Sequence, residues 1–326
     1  MKRTIGVALA LVMGFFASPV LSQEKVRFLL DWVIAGRHTP YYVAIEKGFW
    51  KEGGLDVSLS RGFGGASTVK SVAAGSADVG FASSGPALVA RAKGAPIKII
   101  GVIYGKAPFM LVSRAKTGIN GPKDLEGKLI GAREGEVIRF IFPAFARIAG
   151  IDTGKVKWVA IDAPAYAPSL LAGKIDAATY FIFDKIQYGK LAAKHGRFNF
   201  LLLADHGLDI YSIGLVAQDS YINGKANVVR AFVRGSIKAY EWTLNNPKAA
   251  NEVFAKHQPT LNKEIALGEL DIIRELVVTE EAKKHCIGWI SQEKLTRTQK
   301  ILFTALNVKE SLDINQSYTT KFLPCG

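Results

Sequence analysis

The sequence predicts an α/β protein of two similar lobes, each a mostly parallel sheet with helices on its faces, joined by two chain crossings. Three observations predict it. Strand-like and helix-like segments alternate, the alternation occurs as one series repeated in the same order, and pairs of apolar strands lie where the chain must pass between the copies.

In the first series, Val26 to Leu30 is an apolar run of strand length. Thr39-Pro40 starts a helix, with threonine as N-cap and proline in the first turn, and Gly53-Gly54 ends the segment. Leu55-Asp56-Val57-Ser58-Leu59 alternates as a second strand, a helix from Ala66-Ser67 stops at Gly75, and Asp78-Val79-Gly80-Phe81 is a third strand. The second series runs as strand Lys128 to Ala132, helix Glu136 to Ala149 broken by Gly150-Ile151-Asp152, and strand Val156 to Ala160. It continues as helix Tyr166 to Ala172 ended by Gly173, then strand Asp176 to Tyr180. The copies share letters as well as order: Ser71-x-x-Ala74-Gly75-x-x-Asp78 matches Ser169-x-x-Ala172-Gly173-x-x-Asp176 at an offset of 169 − 71 = 98 residues. In each, glycine supplies the left-handed residue that closes a helix, and aspartate turns the chain into the next strand. Such repetition favours paired lobes over one doubly wound sheet.

Two apolar strands within Ile99 to Ser113, separated by Tyr104-Gly105-Lys106-Ala107-Pro108, form the first candidate crossing. Phe200 to Ala204 and Tyr211 to Ala217 form the second. From Asp219 onward the chain reads as helices, with Val228 to Leu244 strongly periodic and Asn245-Asn246-Pro247 as its stop. This tail is expected to return and complete the first lobe, which gives residues 23–113 and 214–326 to lobe I and 114–213 to lobe II.

Lys2-Arg3 followed by the uncharged run Ile5 to Phe16, with Val20-Leu21-Ser22 before a cut, reads as a cleaved secretory signal over residues 1–22. A bacterial periplasm is the expected destination. Removing Lys2 and Arg3 takes the formal charge from +14 to +12, and the basic residues are scattered rather than clustered with aromatics, so no nucleic-acid partner is expected. A monomer is expected. Cys286 and Cys325 are the two cysteines; in an oxidising compartment they are disulfide candidates, with two free thiols as the alternative.

In open α/β sheets, ligands gather beyond the carboxyl ends of the strands, where helix N-termini aim free N–H groups into a crevice. Here those places hold Asp31, Trp32 and His38, then Gly64 and Ser67, then Ser83 and Ser84 in the first lobe. In the second they hold Gly135 and Glu136, Tyr166, Tyr180 and Asp184. Glycine admits close backbone approach, serine donates and accepts, and aromatic rings offer faces for stacking. Each has a plainer role open to it: Trp32 suits a core as well as a platform, and a histidine just before a helix often serves only as a local hydrogen-bond partner. Catalytic patterns fail. Gly62-x-Gly64-x-x-Ser67 lacks the third glycine of a dinucleotide fingerprint, Ser83 and Ser84 lack nucleophile-elbow spacing, and the five histidines show no metal-ligand spacing. No catalytic residue, metal or cofactor is expected.

Leu30-Asp31-Trp32, the run His38-Thr39-Pro40-Tyr41-Tyr42-Val43-Ala44-Ile45-Glu46-Lys47-Gly48-Phe49-Trp50, and Gly54-Leu55-Asp56-Val57 resemble the opening of the thiamine-pyrimidine-precursor group of periplasmic binding proteins. The wider clan includes binders of taurine, alkanesulfonates, nitrate and flavins. The resemblance implies a type II periplasmic-binding fold that closes on a solute and delivers it to an ABC-type permease. It implies a flat heterocycle, such as a pyrimidine precursor or a flavin, as solute. An organic anion such as a sulfonate, held near Ser67 and Gly135 with Arg61 or Arg133, is the alternative. Fungal proteins of the same fold are pyrimidine synthases that consume a histidine of their own beside a lysine-bound pyridoxal phosphate. Matched on Asp78-Val79-Gly80-Phe81, their lysine falls on Ala82 and their histidine on Pro86, and their cysteine-rich motif is missing near Tyr211 to Leu215, so the expectation is a binder rather than an enzyme.

Overall fold

The computed structural model describes residues 23–134 and 136–326, so the secretory segment read at 1–22 lies outside the described residues. The strands are β1 (Glu24–Leu29), β2 (Leu55–Ser60), β3 (Val79–Ser83), β4 (Ile97–Val102), β5 (Phe109–Arg114), β6 (Leu129–Ala132), β7 (Lys157–Ala160), β8 (Ala177–Phe181), β9 (Phe198–Leu202) and β10 (Ile213–Gln218). They form two five-stranded sheets, ordered β2-β1-β3-β10-β4 and β7-β6-β8-β5-β9. Each sheet has four strands in one direction and one reversed, and the reversed strand, β10 in the first sheet and β5 in the second, is the one that has just arrived from the other lobe. The sheets are therefore mixed in pairing, with the parallel ladders confined to the three strands of each repeated series.

This arrangement moves one boundary. Strand Phe109–Arg114, expected at the end of lobe I, pairs antiparallel with β8 and β9 in the second sheet. The crossing is therefore Gly105 to Pro108, just before it. The apolar run around 109–113 is buried on both faces, so its periodicity could not say which sheet it joins.

The repeated letters do repeated work. In the first lobe, the Asp78 carboxylate accepts from Arg27 N at 2.7 Å while Asp78 N donates to Arg27 O at 3.0 Å. In the second, Asp176 accepts from Leu129 N at 2.9 Å and its own N–H donates to Leu129 O at 2.9 Å. Each aspartate thus clips the third strand of its series to the first by a closed pair of bonds. The preceding glycines, Gly75 at φ 73° and Gly173 at φ 70°, are left-handed, as the helix closure requires.

Helices α1 (Thr39–Glu46), α2 (Gly65–Ala73) and α3 (Ser84–Ala92) belong to the first series, and α4 (Val137–Ala149), α5 (Tyr166–Ala172) and α6 (Lys185–His195) to the second. The tail supplies α7 (Asp219–Gly224), α8 (Ala226–Asn245), α9 (Pro247–His257), α10 (Lys263–Val277), α11 (Glu280–Lys284) and α12 (Gln292–Ala305). It completes the first lobe. Trp50 stacks on Phe232 of α8 with centroids 5.2 Å apart, and its indole N–H donates to Phe232 O and Ser236 Oγ, both at 3.1 Å. Gly235 makes this approach possible, because a Cβ there would lie 2.6 Å from Trp50 Cδ1. Farther on, α12 lies on the first lobe's α3 and also reaches α4 of the second, and Tyr211 N in the returning crossing donates to Thr298 Oγ1 of α12 at 3.0 Å.

Between the lobes, Lys106 of the first crossing pairs with Asp205 of the second at 2.6 Å and with Glu275 of α10 at 2.8 Å. Cys286 and Cys325 are bonded, with Cα atoms 6.0 Å apart, and fasten the carboxyl-terminal residues beside the edge strand β4. By chain entropy, closing a loop of that length contributes about 4 kcal/mol. Among the described residues, no helix is long and apolar enough to cross a membrane.

Candidate binding site

Most of the expected site residues stand just beyond the carboxyl ends of β1, β2, β3, β6, β7 and β8. Trp32 follows β1 with half its surface exposed (49%), and Phe181, the last residue of β8, is exposed to a similar degree (40%). No aromatic ring of the described protein packs on Trp32, and the space opposite its Cζ3 is bordered by Gly64, whose φ of 123° only glycine holds comfortably. The loop carrying Gly64 is pinned close to β1: a Cβ on Gly62 would lie 2.0 Å from Leu30 O, and Gly64 N donates to Asp31 O at 2.7 Å.

Behind these faces lies a polar layer whose bonds are mostly satisfied internally. His38 is fully buried, with Nε2 2.7 Å from Asp31 Oδ1 and Nδ1 accepting from Ala35 N at 3.1 Å. Because Nδ1 is an acceptor, Nε2 carries the proton and donates to the Asp31 carboxylate. Burial pushes the imidazole's pKa down, outweighing the aspartate beside it. Burial also acts to raise the Asp31 pKa, but the His38 hydrogen bond and the nearby Arg37 charge help bring it below the usual carboxylate range. The pair is therefore a neutral imidazole supporting an ionised carboxylate. With both ring nitrogens engaged, His38 has none to offer a solute.

In the second lobe, Glu136 Oε2 accepts from Thr179 Oγ1 at 2.6 Å, from Tyr166 Oη at 2.8 Å and from Arg133 N at 3.3 Å. Tyr166 is buried and its hydroxyl accepts from Arg133 N at 2.5 Å, so it braces the turn before α4 instead of presenting a face. The half-buried Tyr180 stands edge-on to Tyr166 and accepts a hydrogen bond from Tyr188 Oη at 2.5 Å. Asp184 accepts from Phe181 N at 3.1 Å, and burial holds its carboxyl above the ordinary range. Ser67 is exposed in the first turn of α2, Ser83 is half-buried with its Oγ against Gly65, and Ser84 is fully buried at the start of α3. Gly135 lies outside the described residues.

The structure adds residues that the sequence did not single out. The Arg37 guanidinium reaches across the lobes to lie 5.6 Å from the Phe183 ring centroid, and its Nε is 3.9 Å from Asp31 Oδ2. Arg37 N donates to Glu269 Oε2 at 2.8 Å, and burial holds that carboxyl above its usual range as well. Arg37 lies just before His38, between the first two runs that carry the resemblance, whereas Glu269 lies 232 residues farther along, in a helix with no local signal of a site.

A family profile described as NMT1/THI5-like matches residues 35–250, from the turn before Arg37 into α9. The chain belongs to the NMT1/THI5-like family. Relatives within reach of this NMT1/THI5-like chain carry names of two kinds. A 4-amino-5-hydroxymethyl-2-methylpyrimidine phosphate synthase of Legionella pneumophila is 26% identical over 308 residues, covering 93% of each chain. A riboflavin-binding protein of Chloroflexus aurantiacus is 25% identical over 324 residues, covering 95% of this chain and 88% of its own. A formylaminopyrimidine-binding protein of Halalkalibacterium halodurans is 26% identical over 240 residues, covering 73% and 72%. The aliphatic sulphonate-binding protein of Escherichia coli superposes with a TM-score of 0.68 at 18% identity, covering 90% and 92%. At that identity the likeness establishes the periplasmic-binding-protein fold. Within it, the synthase positions expected from the sequence are held by Ala82, buried in β3, and Pro86, in the first turn of α3.

Proposed function

We propose that this chain is the periplasmic solute-binding component of an ABC-type importer, closing as a monomer on a flat heterocycle without altering it. The observation that carries the reading is a half-exposed ring in each lobe, Trp32 just beyond β1 and Phe181 at the end of β8, with Arg37 beyond β1 lying against Phe183 beyond β8. A flat solute held between the lobes would cover the exposed surface of Trp32 and of Phe181, whose ring otherwise meets only Phe109 edge-on at 5.8 Å among the aromatic rings of the described residues, and its contacts with both lobes favour closure. Relatives named for riboflavin and formylaminopyrimidine support the same solute class.

The polar surroundings support it against an organic anion. The groups behind the rings are Asp31, Glu136, Asp184 and Glu269, with Arg37 the cation among them. At α4, the Arg133 N–H that an anion would need is already taken by Tyr166 Oη and the protein's own Glu136. Arg61 lies over the exposed Phe63 ring, 4.6 Å from its centroid. Carboxylates that accept hydrogen bonds suit a ring with amino or imino donors.

The synthase reading lacks its chemistry here, since neither alanine nor proline can form an aldimine or be consumed as a histidine. A thermal-shift screen of pyrimidines, flavins, alkanesulfonates and amino acids, with pyridoxal phosphate as a further arm, tests both points. A melting-point rise with a pyrimidine or flavin, and no aldimine absorbance with pyridoxal phosphate, is expected. A rise with sulfonates alone, or an aldimine band, contradicts the proposal.

A further inference from the structure

Tyr104, in the first crossing between lobes, is fully buried, and no group of the described protein hydrogen-bonds its hydroxyl. Ser84, equally buried at the start of α3, has an unpartnered hydroxyl too. Their backbones are neighbours. Ser84 N donates to Ser212 O at 2.6 Å, and Ser212 N donates to the Tyr104 carbonyl at 3.1 Å, so a single residue of the returning crossing links them. The Tyr104 ring is held edge-on to Phe81 of β3, with centroids 5.5 Å apart, and tilted against Phe183 of the second lobe at 6.2 Å. The ring therefore lies where lobe I, lobe II and the first crossing meet.

A buried hydroxyl without a partner disfavours the fold, and phenylalanine fills the same ring space without that penalty. The titratable groups around it, Tyr240, Asp31, Glu269 and Arg37, leave it without a bond: Tyr240 donates to Tyr41, Asp31 accepts from His38, and Glu269 accepts from Arg37 N. A partner that arrives only with the solute accounts for a hydroxyl in this position.

We propose that Tyr104 is a specificity-determining residue of the solute site, its hydroxyl acting with that of Ser84 to receive a hydrogen-bonding substituent on the inner edge of a heterocyclic ring. The inference rests on the heterocycle-binding reading above and adds an orientation to it. Trp32 and Phe181 take the ring faces at the mouth, while Tyr104 and Ser84 select the polar group that points toward the crossings. A hydroxyl both donates and accepts, so an amino, carbonyl or hydroxymethyl substituent satisfies it and a methyl group does not.

The test uses Tyr104→Phe and Ser84→Ala in the full mature chain, with riboflavin and 4-amino-5-hydroxymethyl-2-methylpyrimidine as probes in calorimetric titrations. The melting temperature of each ligand-free variant is recorded alongside. Tyr104→Phe is expected to melt at or above the wild-type temperature without ligand, and to bind whichever probe the wild type binds at least about ten-fold more weakly. Ser84→Ala is expected to weaken binding in the same direction. Unchanged affinity in both variants overturns the assignment. So does a lower melting temperature of ligand-free Tyr104→Phe, because a hydroxyl whose loss destabilises the empty protein already has its partner. If the wild type binds neither probe, the heterocycle reading fails on its own account. The ligand-free melting temperature then still decides whether Tyr104 holds an unanswered hydroxyl.

Discussion

At the scale of single residues, the site divides into faces that wait and polar groups that support. Trp32 is half exposed and no aromatic ring of the described residues packs on it, so Trp32→Ala should leave the melting temperature within about 1 °C while weakening heterocycle binding roughly ten-fold or more, the equivalent of about 1.4 kcal/mol upward. Calorimetric titration of the variant checks it, and unchanged affinity removes Trp32 from the site. Asp184 behaves differently. Its carboxyl is held above the ordinary range by burial, only partly offset by the Phe181 N–H and the charge of Arg37. A carboxyl whose pKa is raised on folding weakens the folded state where it is ionised, and the penalty fades as pH falls from the folded pKa toward the unfolded one. Asp184→Asn, which keeps an acceptor for Phe181 N, is therefore expected to melt higher than wild type at pH 7. The difference should shrink on acidification, and a lower melting temperature at pH 7 contradicts the account.

At the scale of elements, the duplicated clip is the feature most open to attack. Asp78 and Asp176 each close a pair of bonds with the first strand of their series, and each accepts a backbone N–H with its carboxylate. Loss of such a bond costs about 1.5–3 kcal/mol, so Asp78→Ala and Asp176→Ala should each lower stability by that amount in denaturant titrations. Because the two clips lie in different sheets, the double variant should show the sum. For Asp78 the account also fixes a pH dependence. Burial tends to raise its pKa, but Arg27 and its backbone N–H bring it below the usual carboxylate range, so this contribution is present at neutral pH and is lost as pH falls through the lowered value. These clips were legible beforehand as shared letters, since Ala-Gly-x-x-Asp marks the same turn in both copies. The reversed strands were not. Period and apolarity place β5 and β10 as strands, but direction and sheet membership depend on where the crossing delivers them, which no local pattern encodes.

At the scale of the whole molecule, the sequence yielded the two lobes, the double crossing and the return of the tail, because each rests on order and punctuation repeated along the chain. The proposed site was legible in outline only. Asp31, Trp32, Glu136 and Asp184 stand at the strand ends as expected, whereas His38 and Tyr166 turn inward and spend their polar atoms on other protein groups. Arg37, Phe183, Glu269 and Tyr104 came into view only in three dimensions, since their meeting depends on α10 and both crossings arriving at one place. The polar layer assembled this way is rich in carboxylates, and that is the physical ground for preferring a donor-bearing ring over an anion.

The central claim is that the two lobes close on a flat heterocycle and release it unchanged. Equilibrium titration of the mature chain with a pyrimidine, a flavin and an alkanesulfonate, followed by mass analysis of what is recovered from the complex, tests it most directly. The account predicts saturable one-to-one binding of a pyrimidine or a flavin, recovered at its original mass, and no saturation with the sulfonate. Saturation by the sulfonate alone, or recovery of a chemically altered compound, would contradict it.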